Sequence, residues 1–146
     1  MNVRLEDVFA GAVPSGVYRY HGRESPDAMA DAAASSDWAF FYLDGRDIGD
    51  KASFIAAVGA AARFPAYSAA NWDALEESLR DLSWAAGSGH LILWEDARVM
   101  ARSSPAEFAT AVGVLRACAE FWERRGTPMI VLLRRTGLGT AMLLAD

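Results

Sequence analysis

The carboxylates best placed to do chemistry lie in one short segment. In the stretch NWDALEESLRD, the acids Asp73, Glu77 and Asp81 follow one another at intervals of four residues. Four residues is slightly more than one helical turn, so this spacing predicts a column of acids on a helix. Like charges in such a column repel by about 0.2–0.5 kcal/mol per pair. The column therefore indicates a solvated face, a recognition surface or a catalytic pair.

The residues around these acids predict a helix with one apolar side. Asn71 is a suitable N-cap, and Asp73 in the first turn is favoured by the helix dipole. Glu76 and Arg80 are spaced for a favourable ion pair, whereas Asp81 lies near the C-terminal end, where the dipole disfavours an acid. The apolar side consists of Trp72, Leu75, Leu79 and Leu82. On local rules alone, the outward face remains open between a solvated surface and a recognition surface.

A catalytic function is disfavoured by the remaining reactive residues. Acid–base chemistry by Asp73 and Glu77 would need an apolar cleft that separates their pKa values, and an exposed helix offers none. The two histidines, His21 and His90, have neither metal-ligand spacing nor a nucleophile motif. Cys118 falls on the buried side of a predicted helix, where a thiol acts as a small hydrophobe. We therefore predict no catalytic residues, no metal and no cofactor.

Composition and charge predict one cytoplasmic domain. The 146 residues, 53 % hydrophobic, suffice for one sizeable core. A net charge of −5 disfavours binding to nucleic acid. The single cysteine allows no internal disulfide, which indicates a reducing compartment. Because a buried Cys118 offers no disulfide route to a dimer, we expect a monomer when the protein is free. The pairs Arg124-Arg125 and Arg134-Arg135 are attributed to a helix end and a solvated strand end.

The N-terminal segment and the hydropathy give no membrane signal. Glu6 and Asp7 interrupt the first residues where a secretory signal would be apolar, so we expect no such signal. No apolar run approaches the roughly 20 residues that a transmembrane helix needs. We therefore expect no transmembrane helix and no membrane partner.

Apolar runs alternate with helical segments along the chain. The runs WAFFYLDG, LILWED and MIVLLRR predict strands that begin near Trp38, Leu91 and Met129. Helices are predicted between them, one capped by Asp50 and one starting after Ser104, with Glu107 completing a capping box. This alternation is typical of an α/β fold with a mainly parallel sheet of three strands, possibly four, flanked by helices.

The first 37 residues predict an additional unit. A short helical segment, RLEDVFAG, precedes a strand, GVYRYHG, and a helix that starts at Ser25 and Pro26. We expect this strand and helix to lie at one edge of the sheet and to cover it. No linker divides the chain, so residues 1–146 are predicted to form a single domain.

The run FPAYSAANWDALEESL, from Phe64 to Leu79, resembles the signature loop and helix of the barstar family. The order of strands and helices resembles that family over residues 38–134, and the first 37 residues have no counterpart there. The resemblance implies a three-stranded parallel sheet packed with helices. It also implies a cytoplasmic inhibitor whose partner is a cognate bacterial ribonuclease or nuclease toxin. The acidic helix and the preceding loop would block the basic active site of that enzyme.

The resemblance assigns roles to individual residues. Tyr67 takes the place of a loop tyrosine that packs on the enzyme, and Asn71 and Trp72 start the binding helix. Asp73 takes the place of the first contacting aspartate. Glu77 replaces the dominant aspartate and is one methylene longer. The implied partner-binding surface comprises Tyr67, Asn71, Trp72, Asp73, Glu76, Glu77 and Arg80.

Some positions depart from the family pattern. Glu76 stands in place of a tryptophan, and Ala69 replaces a loop glycine, which restricts the backbone there. The family also has a contacting glutamate on the last long helix, and the corresponding position here is near Phe121. Glu120 and Glu123 are the alternative sources of that negative charge. These departures motivate an alternative hypothesis, in which the chain is a barstar-like interaction module for a partner that is not a ribonuclease.

Overall fold

A four-stranded parallel sheet forms the centre of the protein. The computed structural model describes residues 2–65 and 71–137. The strands are β1 (Gly16–Arg19), β2 (Trp38–Asp44), β3 (Gly89–Glu95) and β4 (Met129–Leu133), in the order β1-β4-β3-β2. All three neighbouring pairs are parallel. The prediction of an α/β fold is confirmed, and β1 supplies the fourth strand at one edge, next to β4.

Helices cover the sheet on both faces. They are α1 (Leu5–Phe9), α2 (Pro26–Ser35), α3 (Lys51–Ala61), α4 (Trp72–Asp81), α5 (Arg98–Ser103) and α6 (Pro105–Arg124). The connection from β1 crosses to the far edge at β2, and the chain then returns strand by strand to β4. Because parallel crossovers are right-handed, these two opposite directions place their connecting helices on opposite faces.

Each face of the sheet has its own apolar cluster. Leu91 and Leu93 of β3 join the cluster under α1 and α2, whereas Ile92 and Trp94 join the one under α3, α4, α5 and α6. Successive strand residues point to opposite faces, so a strand covered on both sides must be apolar at nearly every position. This explains the continuous apolar runs in the sequence.

The N-terminal unit buries the central strands on one face of the sheet. Leu91, Leu93, Ile130 and Leu132 have no measurable exposure, and they pack in the cluster that contains residues of α1 and α2. Burial of one such side chain contributes roughly 1.5–3 kcal/mol. Residues 2–37 are therefore integral to the described fold. The single domain over residues 1–146 stays a prediction.

The caps of the helices agree with the sequence at three of four predicted positions. Ser25, Asp50 and Asn71 accept hydrogen bonds from backbone amides in the first turns of α2, α3 and α4. The predicted capping box at α6 is wrong. Ser104 Oγ donates to the Gly49 carbonyl at 2.8 Å, and Glu107 Oε1 accepts from the Lys51 amide at 3.0 Å. Both side chains are used to hold the start of α3 against α6.

The prediction that Arg134 is a solvated strand end is also wrong. Its side chain is 12 % exposed and lies 2.8 Å from the equally buried carboxylate of Glu95. Its Nη1 donates to the carbonyls of Gly22 and Glu24. Hydrogen bonding to Glu95 raises the pKa of this guanidinium above its ordinary value. One side chain thus joins the carboxyl ends of β3 and β4 to the loop after β1, which the sequence spacing does not reveal.

Replacing Arg134 by alanine should destabilise the protein by about 3 kcal/mol, because Glu95 would keep a largely buried and unpaired charge. Urea denaturation measures this loss. Arg46→Ala is the matched control, since Arg46 pairs with Asp44 at 2.7 Å but its side chain is 74 % exposed. The control should have little effect. Equal losses in the two variants would contradict the role given to Arg134.

Candidate functional site

The candidate site is the outward face of α4. Leu75 and Leu79 are fully buried beneath the helix, whereas Asp73, Glu77 and Asp81 are exposed. The structure therefore forms the acidic column that the four-residue spacing predicts. Because Asp73 and Glu77 are both exposed, they lack the apolar cleft that a catalytic pair of carboxylates requires.

The first turn of α4 is fixed by its cap and by an aromatic contact. Asn71 Oδ1 accepts from the Ala74 amide at 2.8 Å. The half-buried Trp72 ring lies 6.1 Å from the ring of Phe54, measured between centroids. Lys51 Nζ lies 5.6 Å from the centroid of the Trp72 ring. Asn71 thus acts mainly as a cap, and Trp72 anchors the helix while leaving part of its ring accessible.

Tyr67 and Ala69 lie outside the described residues. Their predicted places in the loop before α4 remain predictions.

Glu76 and Arg80 form an ion pair along the helix. Arg80 Nη2 donates to Glu76 Oε1 at 3.1 Å, as the spacing of four residues predicts. An exposed pair of this kind contributes about 0.3–0.5 kcal/mol. Within the described residues, Asp73, Glu77 and Asp81 form no ion pair, so they carry the unbalanced negative charge of this helix.

The inner side of α4 is attached to α6 through backbone carbonyls. Trp122 Nε1 donates to the Leu79 carbonyl at 2.8 Å, and Cys118 Sγ lies 4.0 Å from the Glu76 carbonyl. Burial raises the pKa of the Cys118 thiol to about 12, so it stays protonated and unreactive at neutral pH, as a buried cysteine is expected to be. Sequence reasoning missed this role of Trp122. The sequence feature that could have revealed this hydrogen bond is the position of the Trp122 indole, one helical turn after the buried Cys118.

His90 packs behind the same attachment. It lies at the start of β3, 2 % exposed, with its ring 4.8 Å from that of Trp122 and 6.4 Å from that of Phe41. Burial lowers the pKa of the imidazole, and its Nδ1 has no hydrogen-bond partner in the described part of the chain. A neutral His90 is therefore part of the support of α4.

Two clefts occur elsewhere, both beside the loop that follows β1. They have volumes of about 640 and 740 Å³ and share the loop residues Tyr20, His21, Gly22 and Glu24. Neither is lined by a residue of α4. Within residues 2–65 and 71–137, no group of three or more His, Cys, Asp or Glu side chains could hold a metal ion.

Comparison with known families identifies the scaffold that carries α4. Residues 38–134 match the family described as Barstar (barnase inhibitor). The chain belongs to the barstar family. The match covers β2, β3, β4 and α3 to α6, and leaves α1, β1 and α2 outside it. The resemblance predicted from the sequence is confirmed, with the same limits.

Other comparisons add information on the fold alone. The Aeropyrum pernix ORC2 protein, solved as ADPNP-ADP complexes, is similar with a TM-score of 0.53 and 16 % identity. The similarity covers 89 % of this barstar-family chain and 38 % of the ORC2 chain. No curated protein sequence gives a significant match. In the described part of the chain, no helix has the length and apolarity needed to cross a membrane.

Replacing Trp122 by phenylalanine should loosen the end of α4. The change removes the indole donor and leaves the Leu79 carbonyl without it, at a cost of about 1 kcal/mol. Amide hydrogen exchange should become faster at residues 78–82. Trp84→Phe is the control, because the Trp84 indole donates in the same way to the Ala62 carbonyl after α3. Faster exchange at α4 in both variants would contradict the specific role of Trp122.

Stability should fall as the pH decreases from 7 to 5. The pKa of His90 is lower in the folded protein than its ordinary value of about 6.5, so below that pH the unfolded chain binds the proton more readily. Neutral His90 therefore contributes fully to the free energy of unfolding above about pH 6.5, and this contribution is lost as the pH falls below that value. Urea denaturation of His90→Phe should show a weaker pH dependence.

The exposed His21 provides the control for this experiment. His21→Gln removes the other histidine and leaves His90 in place, so it should keep the fall in stability. An unchanged pH dependence in His90→Phe would show that other groups cause it.

Proposed function

We propose that this protein is an intracellular inhibitor of a bacterial ribonuclease or nuclease toxin. In this proposal α4 and the loop before it enter the basic active site of the enzyme. The observation that carries the proposal is the exposed pair Asp73 and Glu77 on a firmly attached helix of a barstar-family chain.

The charge arrangement suits a ribonuclease cleft. Such a cleft must be basic to hold RNA phosphates, and carboxylates can occupy the same positions. Asp73 and Glu77 are one helical turn apart, with about 5–6 Å between their Cβ atoms. Opposite charge on the two proteins would also accelerate their encounter, which favours rapid capture of a toxic enzyme.

The attachment of α4 at both of its ends supports tight binding. Association requires that mobile side chains and segments become ordered, and a preformed surface reduces that cost. The Asn71 cap and the Trp122 hydrogen bond hold the two ends of α4 before any partner binds. The proposed contact residues are Tyr67, Asn71, Trp72, Asp73, Glu76, Glu77 and Arg80.

The proposal extends to the state and location of the protein. We infer a cytoplasmic, non-catalytic protein that is monomeric when free and binds no nucleic acid directly. The net charge of −5 and the buried single cysteine support these inferences.

A second candidate function is an interaction module for a partner that is not a ribonuclease. The ion pair between Glu76 and Arg80 favours it, because it neutralises an acid in the middle of the proposed surface. In that case the helix would still bind a protein, but the partner need not have a basic cleft.

Co-expression with candidate secreted ribonucleases tests the main proposal. Cells that produce both proteins should survive, and the two should co-purify as a complex. Rescue should be lost when Asp73 and Glu77 are both replaced by alanine. Recovery of a non-nuclease partner, with no rescue from any ribonuclease, would support the second candidate instead.

Replacing Glu77 by alanine should weaken binding to the ribonuclease by about 2 kcal/mol or more, as at a central interface residue. Asp73→Ala should also weaken it. Isothermal titration calorimetry measures both losses. Asp27→Ala is the control, because Asp27 is exposed in the first turn of α2 and is absent from the proposed surface. Unchanged affinity in both site variants would place the interface elsewhere.

A further inference from the structure

We infer that the partner carries an acidic side chain beside its basic cleft, and that Arg80, Phe121 and Arg125 recognise it. These three residues are called the cationic stack. The inference rests on the proposed function and specifies the kind of partner that the site accepts.

The cationic stack is formed by two helices. The guanidinium carbon of Arg80, on α4, lies 5.3 Å from the centroid of the Phe121 ring, and that of Arg125, after α6, lies 4.8 Å from it. Trp122 meets the same ring edge-on at 5.5 Å. The ring thus holds two cations in defined places at the surface, where cation–π attraction favours this geometry.

The charge of the cationic stack differs in sign from that of the acidic column. Glu76 pairs with Arg80, whereas Arg125 forms no ion pair among the residues the structure describes. The stack and Glu76 together therefore carry a net positive charge in a protein of net charge −5. The helix dipole favours cations in the last turns of α4 and α6, but it does not require both to lie on one ring.

The position of the cationic stack brings it within reach of the proposed partner. Arg80 follows Glu77 by three residues and Asp73 by seven, which places it on the same side of α4. The corresponding displacements along the helix axis are about 4.5 and 10 Å. A protein that contacts both acids therefore also meets Arg80.

This arrangement selects among basic proteins. A cleft whose basic surface continued past the acids would meet like charges at the cationic stack, which is costly in an interface. A carboxylate at that place would instead accept hydrogen bonds from a guanidinium. The acidic column attracts ribonucleases in general, and the cationic stack rejects those without the carboxylate. Nucleic acid is a poor occupant, because Asp73 and Glu77 repel phosphates.

The test uses a panel of catalytically inactive barnase-type ribonucleases, each titrated with the purified protein. The variant Arg80→Gln with Arg125→Gln removes both cations. The reference partner is the ribonuclease that the wild-type protein binds most tightly. The double variant should bind this ribonuclease at least tenfold more weakly than the wild-type protein does. The control is Arg23→Gln with Arg102→Gln, which makes the same charge change at exposed positions outside the proposed surface. It should change the affinity less than twofold.

Phe121→Leu separates the geometry from the charge. It keeps both arginines and removes the ring, so it should weaken the same complex about threefold. Each Asp and Glu around the ribonuclease cleft is then replaced by its amide, one at a time. At one of these positions, the ribonuclease variant should bind the wild-type protein and the double variant with equal affinity.

The outcomes separate this inference from the function on which it rests. The inference is overturned if the double variant binds as tightly as the wild-type protein, or more tightly, while Asp73→Ala still weakens binding. In that case the proposed function stands. Failure of the wild-type protein to bind any ribonuclease of the panel overturns both.

Discussion

The attachment of α4 to α6 is the interaction on which the candidate site depends. A helix that exposes several acids in a column is weakened by their repulsion and gains its stability from the opposite side. Here that side buries Leu75 and Leu79, and the Trp122 indole satisfies the Leu79 carbonyl. The same contacts that overcome the repulsion also fix the direction in which Asp73 and Glu77 point.

The sheet provides the base for this attachment, and it requires cover on both faces. α6 packs on one face, and the N-terminal unit covers the central strands on the other. The barstar-family match begins at residue 38, so the family segment contains the site but not the cover of the second face. Arg134 adds a polar link by joining Glu95 of β3 to the loop after β1. The N-terminal unit therefore supports the sheet on which α6 packs.

Much of the fold could be predicted because local signals and burial agreed. The apolar runs gave the strands, and Asp50 and Asn71 gave correct helix starts. The errors at Ser104 and Arg134 have one cause. Each side chain has a partner that is distant in sequence, Gly49 and Glu95 respectively, and local spacing holds no information about such partners.

The candidate site could be predicted in the same uneven way. The acidic column and the pair of Glu76 with Arg80 follow from helical spacing alone. The contact of Arg80 with Phe121 does not, because it depends on how two helices pack. The family resemblance placed an acidic contact near Phe121, and the structure places two arginines on that ring.

We propose that α4 occupies the substrate cleft of a ribonuclease, and competition with RNA tests this proposal most directly. A ribonuclease recovered by co-expression is titrated with the protein in the presence of an uncleavable RNA oligonucleotide. Binding of the protein and of the oligonucleotide should be mutually exclusive, so the apparent Kd should rise linearly with the oligonucleotide concentration. A stable ternary complex, with an apparent Kd independent of the oligonucleotide, would contradict it.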